Sequence, residues 1–449
     1  MRIAQIVPLH ISVPPRGYGG TERVVANLTE ALVQLGHDVT LFASGDSHTS
    51  AQLVPMLPEA LSFNSSVDAV AYHIALLDAV YRRADEFDVI HSHLDYLTLP
   101  FISRTSTPTV ITLHGRLDLP EYRRVFSAWP DANLISISLS QRTPLPDVNW
   151  IANIHHSVDV KSFPMSEQPG DYLVFVGRIS PDKGPDRAIA IAKQAGIPLK
   201  IAAKVDPQDR KYFEQIVRPM LDDPLIEFLG NVGEQKKRTL MCNALALLLP
   251  IDWPEPFGMV FIEALACGTP VLTCPYGAVP EILQDGVTGY IRGTVEELAE
   301  AARQVHSISR VGCRAYAVRH FDIRRMALEY VNAYGAVTRR ATFFPLTADA
   351  ADAADTADVI SVTSANETAP ITALAPGSDS VPLRSSRQVD QRDRRDRGDR
   401  DGEAVGVNAA TKTPDAAGGR EQRKNAGTLP QPPQMPLMSP GADEQQVSN

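Results

Sequence analysis

The chain has 449 residues, 44% of them hydrophobic and 21% charged, with a formal net charge of -10. That length and apolar content suit two domains, and the acidic balance argues against a nucleic-acid partner, which calls for a basic domain. Its four cysteines, Cys242, Cys267, Cys274 and Cys313, form no C-x2-C pair, so they read as buried free thiols of a reducing cytoplasm.

The N-terminal stretch MRIAQIVPLH is broken by Pro8 and too short for a secretory signal. No run approaches the ~20 apolar residues that span a bilayer. Residues 3–7 form a short apolar strand. Residues 21–35 have helical spacing, with Val24, Val25, Leu28, Leu32 and Leu35 on one side and Gly36 as the stop. Further strands are expected at 39–43, 88–91, 109–113 and 134–137. The rhythm breaks at VKSFPMSEQPG (160–170) and restarts with strands at 172–176, 199–203, 226–229, 244–249 and 271–273, and a helix at 186–195. Alternating strand and helix in two halves predicts an α/β fold of two doubly wound, Rossmann-like domains facing a central cleft. Ligands bind beyond the carboxyl ends of such strands. After Phe344 the aromatics and cysteines vanish, and an Arg/Asp run occupies 387–403. The tail 345–449 is expected to be disordered, a solvated spacer or a partner-binding arm.

Chemistry concentrates in three loops. The first, PLHISVPPRGYGGTERVV, sets Gly17, Gly19 and Gly20 before a helix. Glycines let backbone N–H groups approach an anion there, although G-x-G-x-x-G is missing and an ordinary β-to-α turn has the same look. The second, YLVFVGRISPDKGPDRAI, places a strand end at Gly177 with Arg178 and Lys183 on the loop beyond. Those cations suit a pyrophosphate, or else are plain surface charges. The third, LLLPIDWPEPFGMVFIEALACGTPV, holds Glu255 between Pro254 and Pro256, out of any helix. Gly258 opens the next helix, Glu263 lies about a turn and a half inside it, and N–H groups around 257–260 face the same crevice. Carboxylates suit sugar hydroxyls and helix N–H groups suit phosphate. His91 and His93 have H-x-H spacing but lack a third ligand, so a metal is not expected.

The segments GYGGTE, FVGRISPDKG, EPFGMVFIEALACGTPV and YGAVPEILQDGVTGY resemble the retaining nucleotide-sugar glycosyltransferases of family four, which have the GT-B fold. The resemblance spans about residues 1–340. It implies an acceptor-binding domain at 1–162, a donor domain at 163–320 and a crossover helix at 321–340 returning to the first domain. It further implies that Glu255 contacts the transferred hexose and Glu263 the ribose, and that Arg178 and Lys183 stabilise the diphosphate. Gly19 and Gly20 would approach the phosphates, and His114 would lie near the reacting sugar. Asn231 and Val232 fall where the base stacks, and Phe257, Gly258, Met259 and Val260 complete the donor site. Family members often carry Asn-Gly-Val-Asp where this chain has His-Ser-Val-Asp at 156–159, a departure expected to touch the interdomain hinge. The implied reaction moves a hexose, UDP-glucose being the first-choice donor, to an acceptor hydroxyl with retention, without metal or cofactor. The acceptor is a sugar, a lipid or a small molecule; Arg82, Arg83, Arg123 and Arg124 are candidates for peripheral contact with the inner membrane face. Rival readings are a catalytically silent sugar-nucleotide sensor acting through its tail, and another GT-B enzyme such as an epimerase or a phosphorylase.

Overall fold

The computed structural model describes residues 1–17, 19–62 and 67–338. The expected disordered tail lies outside the described residues.

Two all-parallel sheets organise the chain. The first contains β1 (Arg2–Ile6), β2 (Asp38–Ala43), β3 (Gln52–Pro55), β4 (Val89–Ser92), β5 (Thr109–Thr112), β6 (Asn133–Ser136) and β7 (Trp150–Asn153), in the order β3-β2-β1-β4-β5-β6-β7. The second contains β8 (Leu173–Arg178), β9 (Leu199–Lys204), β10 (Ile226–Phe228), β11 (Ala246–Leu249), β12 (Val271–Thr273) and β13 (Gly289–Ile291), in the order β10-β9-β8-β11-β12-β13. Strand order reverses at β1/β4 and at β8/β11. These are the switch points at which open α/β sheets leave a crevice, and the three chemistry-bearing loops follow β1, β8 and β11.

Helices cover the sheets, as parallel sheets require. The first set comprises α1 (Gly20–Gln34), α2 (Ala69–Tyr81), α3 (Pro120–Ser127) and α4 (Leu139–Arg142). The second comprises α5 (Pro185–Ala195), α6 (Arg210–Tyr212), α7 (Glu234–Cys242), α8 (Met259–Ala266), α9 (Val279–Ile282), α10 (Val295–Gln304) and α11 (Arg310–Phe321). The last helix, α12 (Ile323–Thr338), joins the core of the first sheet: Met326, Tyr330 and Tyr334 are buried with Ile3, Val24, Leu28, Val89 and Val110. Each fully buried Leu, Ile or Met here contributes about 1.5–3 kcal/mol relative to exposure. On the opposite face, α2 packs Leu76 and Leu77 against Ile6, Phe42 and Ile90.

Sequence and structure differ in places. The strand expected to stop at Gly177 runs through Arg178, because β8 stays paired with β9 as far as Arg178 and Lys204. The edge strands β3 and β7 and the short β13 were not anticipated. All four cysteines are free and buried. Burial pushes the Cys267 and Cys313 thiols up to about 12 and Cys274 to about 11, which leaves them unreactive at neutral pH. Among the described residues no helix is long and apolar enough to cross a membrane.

Candidate active site

Glu255 is fixed by its backbone before its side chain is considered. Pro254 and Pro256 restrain the loop, and the Glu255 carbonyl accepts from the Ala278 N–H at 2.8 Å. Gly277, at φ 63, lies so close that a Cβ there would overlap the Glu255 backbone. The carboxylate is only 8% exposed. It accepts from the Lys183 ammonium and, at 3.1 Å, from Trp253 Nε1. Lys183 also stands 5.0 Å from the centroid of the Trp253 ring. Two loops from opposite sides of the β8/β11 switch point thus meet through one ion pair.

The next residues turn the chain into α8. Gly258 precedes the helix at φ 88 and no side chain caps its first turn, so the N–H groups there stay available to an anion. A Cβ on Gly258 would come within 2.5 Å of two Phe261 ring carbons. Gly258→Ala is therefore expected to cost roughly 1–3 kcal/mol through strain and clash. Thermal unfolding checks this, and an unchanged melting temperature would contradict it.

Glu263, in α8, is 4% exposed and accepts from Lys237 Nζ at 2.9 Å. Lys237 also pairs with Glu234 at 3.0 Å, which in turn meets Arg238 at 2.9 Å and Arg23 of α1 at 3.3 Å. Burial works against ionisation of Glu234, but Lys237 and Arg23 outweigh it and hold its carboxyl below the ordinary value. This chain of charges carries Glu263 across to the glycine loop of the first domain. Gly19 is the residue before α1 and Gly20 its first, again without a side-chain cap. Glu22, one turn in, is buried, and burial pushes its carboxyl up. Asn231 is exposed and Val232 half-buried, ahead of α7.

Arg178 ends β8 among three aspartates, Asp182 at 3.7 Å, Asp206 at 3.9 Å and Asp209 at 3.8 Å. These distances are ionic but longer than hydrogen bonds, so the guanidinium is held in place with its donor fork uncommitted to them. Arg82 and Arg83, offered as part of a basic face, are each paired with a neighbouring carboxylate, Asp78 and Glu86.

His114 belongs to a buried hydrogen-bonded row that the sequence did not reveal. Gln5 Nε2 donates to the Tyr334 hydroxyl at 3.3 Å, leaving Gln5 Oε1 to accept from His93 Nε2 at 2.9 Å. His93 Nδ1 must then accept from His114 Nε2 at 2.8 Å, and His114 Nδ1 from His156 Nε2 at 3.3 Å. His156 Nδ1 is left bare, and it is indeed buried without a hydrogen-bond partner. On the other branch the Tyr334 hydroxyl donates to His91 Nδ1 at 2.7 Å, and His91 Nε2 to Thr112 Oγ1 at 2.8 Å. Every ring is neutral in this pattern. Burial accordingly holds His114 down to about 3 and His91, His93 and His156 well below the ordinary histidine value. His91 and His93 are thus core and relay residues. His156 is more than a hinge residue, since its ring stacks on His114 at 5.1 Å and lies 4.9 Å from Phe257.

Further contacts join the two domains beside the site. Ser138 Oγ donates to the Pro256 carbonyl at 2.7 Å, and the Leu139 and Ser140 N–H groups donate to the Glu281 carboxylate at 2.7 Å each. A cavity of about 290 Å³ lined by Glu167, Leu245, His306 and Arg310 lies apart from these loops. Its Arg310 guanidinium is taken up by the carbonyls of Ser166, Ala244 and Cys242.

Two parallel-sheet domains with anion-suited loops at both switch points share the GT-B fold of solved glycosyltransferases. Residues 162–314 match the family model for glycosyl transferases group 1, and residues 18–149 that for glycosyltransferase family 4. The chain is thus a glycosyltransferase of the group 1 and family 4 kind. It is 26% identical to a glycogen synthase of Mycobacterium tuberculosis over 66% of this chain and 83% of the relative. It is 25% identical to a phosphatidyl-myo-inositol mannosyltransferase of Mycobacterium leprae over 75% and 97%. Among solved structures, AviGT4, a glycosyltransferase of avilamycin A biosynthesis, superimposes with a TM-score of 0.59 at 26% identity, covering 76% of this chain and 98% of that one. A sucrose-phosphate synthase from Thermosynechococcus elongatus reaches 0.64 at 19% identity, covering 76% and 100%, and so speaks for the fold alone.

Proposed function

We propose that the protein moves a hexose from a nucleoside diphosphate sugar to an acceptor hydroxyl with retention of anomeric configuration, UDP-glucose being the first donor to test. The observation that carries this reading is the pair of buried, lysine-bound glutamates on either side of the uncapped start of α8. Glu255 meets Lys183 and Glu263 meets Lys237, eight positions apart. A bound diphosphate takes Lys183 from Glu255, which frees the carboxylate to accept from hexose hydroxyls. Glu263 accepts from the ribose hydroxyls, and Lys237 balances its charge.

As the glycosidic bond breaks, negative charge gathers on the diphosphate. Lys183, Arg178 and the N–H groups of Met259 and Val260 stabilise it from fixed positions. With these charges in place the step needs no metal. The departing phosphate oxygen takes the acceptor proton on the same face of the sugar, so no protein nucleophile is required. Gly19 and Gly20 bring the start of α1 to the phosphates from the other domain, and Asn231 and Val232 flank the base. His114, with both ring nitrogens engaged, backs the sugar as a neutral surface. The setting proposed for the reaction is the cytoplasm, at the inner membrane face for a lipid acceptor. A silent sensor is not favoured, because each charged partner of the diphosphate is present.

Incubation with UDP-glucose, GDP-mannose and ADP-glucose, with acceptors drawn from a host extract, is expected to release one nucleoside diphosphate and yield a product heavier by one hexose. Epimerised donor without release of nucleoside diphosphate, or hexose transfer from a sugar 1-phosphate in place of any nucleotide sugar, would favour another GT-B enzyme.

A further inference from the structure

Asp95 leaves the carboxyl end of β4 at the first switch point. With φ 46, it is one of two non-glycine residues with positive φ among the described residues. Aspartate tolerates the left-handed region better than most side chains, yet the conformation is disfavoured and tends to persist where it aims a functional group. Its Oδ1 is buried without a hydrogen-bond partner. Burial pushes the carboxyl up to about 7, against the pull of the His114 peptide N–H.

Beside it the rings of Tyr96 and Tyr122 lie with centroids 5.5 Å apart, and Tyr96 is 39% exposed. Tyr96 follows Asp95 directly in the chain, so this ring pair stands beside the carboxyl. Arg116 pairs with Asp118 at 2.7 Å and also feels the charge of Asp182, on the loop between Arg178 and Lys183. Asp95 also meets the peptide N–H of His114, so this patch adjoins the residue proposed to back the sugar.

We propose that Asp95, Tyr96 and Tyr122 form the acceptor subsite and that the acceptor presents a saccharide ring to it. The proposal rests on the glycosyl-transfer reading above. A sugar offers an apolar C–H face and a rim of hydroxyls. The tyrosine rings take the face, and the unpartnered carboxyl oxygen accepts a hydroxyl proton, which a lipid chain does not supply.

Saturation-transfer NMR of neutral disaccharides against UDP-saturated protein tests this. The wild type binds at least one of the panel. Asp95→Gly, which relieves the left-handed strain while deleting the carboxyl, loses at least tenfold in that affinity, keeps its UDP affinity within twofold and melts no lower. Tyr96→Ala weakens binding similarly, and Tyr96→Phe retains it. Unchanged disaccharide affinity in Asp95→Gly overturns the subsite alone, and so does a wild type that binds UDP but no disaccharide. A wild type that binds no nucleoside diphosphate overturns the donor reading and this proposal with it.

Discussion

Lys183→Ala is expected to lower turnover of the nucleotide sugar by about 10²–10³-fold, the usual effect of removing one fixed donor from a developing anion. Lys183 also touches Glu255, so its loss acts twice. It removes a charge from the leaving group, and it leaves a carboxylate that is 8% exposed with the Trp253 N–H at 3.1 Å as its remaining side-chain partner. The second effect costs on the order of 1–3 kcal/mol of stability. Adding Glu255→Gln to Lys183→Ala removes the stranded charge. The double variant should regain melting temperature without regaining turnover. Activity within tenfold of wild type in Lys183→Ala would show that the lysine merely anchors the loop.

Acid is expected to unfold the first domain well before ordinary carboxylate titration would. Burial holds His114 down to about 3 and His73 to about 4, and His91, His93 and His156 also lie well below the ordinary value. In the unfolded chain each titrates near 6.5. Between those limits the unfolded state binds more protons than the native state, so stability is complete above pH ~6.5 and falls as pH drops. Each proton taken up removes about 1.4 kcal/mol per pH unit. Asp95, raised to about 7, runs the other way, its contribution being lost as pH rises towards 7. Glu22 is raised by burial as well, and these two carboxyls offset only part of the five histidines. The urea midpoint at pH 5 should therefore lie well below that at pH 7. Equal midpoints would mean that the histidine row is charged or solvated in the native state.

Much of the fold was legible because both sheets are parallel and buried. Residues 39–43 and 271–273 read as apolar runs of strand length, and β12 spans Val271–Thr273 as anticipated. β3 and β7 escaped notice because they are edge strands of four residues with half-exposed side chains, Gln52–Pro55 and Trp150–Asn153, and so lack that signature. In the site, Glu255 and Glu263 stood out through proline placement and burial in an apolar run. Lys237 did not, because EQKKR looks like a solvated helix face, and only the packing of α7 beside α8 turns one of its charges inward. The histidine row was hidden for a different reason. It depends on Gln5 in β1 lying opposite His91 in β4, a register between strands far apart in sequence. Asp95 carries no sequence signal beyond its place after His93; its backbone conformation and its unpartnered oxygen are properties of the folded chain.

Glycosyl transfer by this protein is read most plainly from the donor panel. Purified protein is incubated with each nucleoside diphosphate sugar and an acceptor mixture, and both nucleotide and sugar products are measured. Stoichiometric release of one nucleoside diphosphate is expected, UDP first among them, with the hexose joined to an acceptor in the anomeric configuration it had in the donor. Inverted product, or no nucleoside diphosphate from any donor, would contradict it.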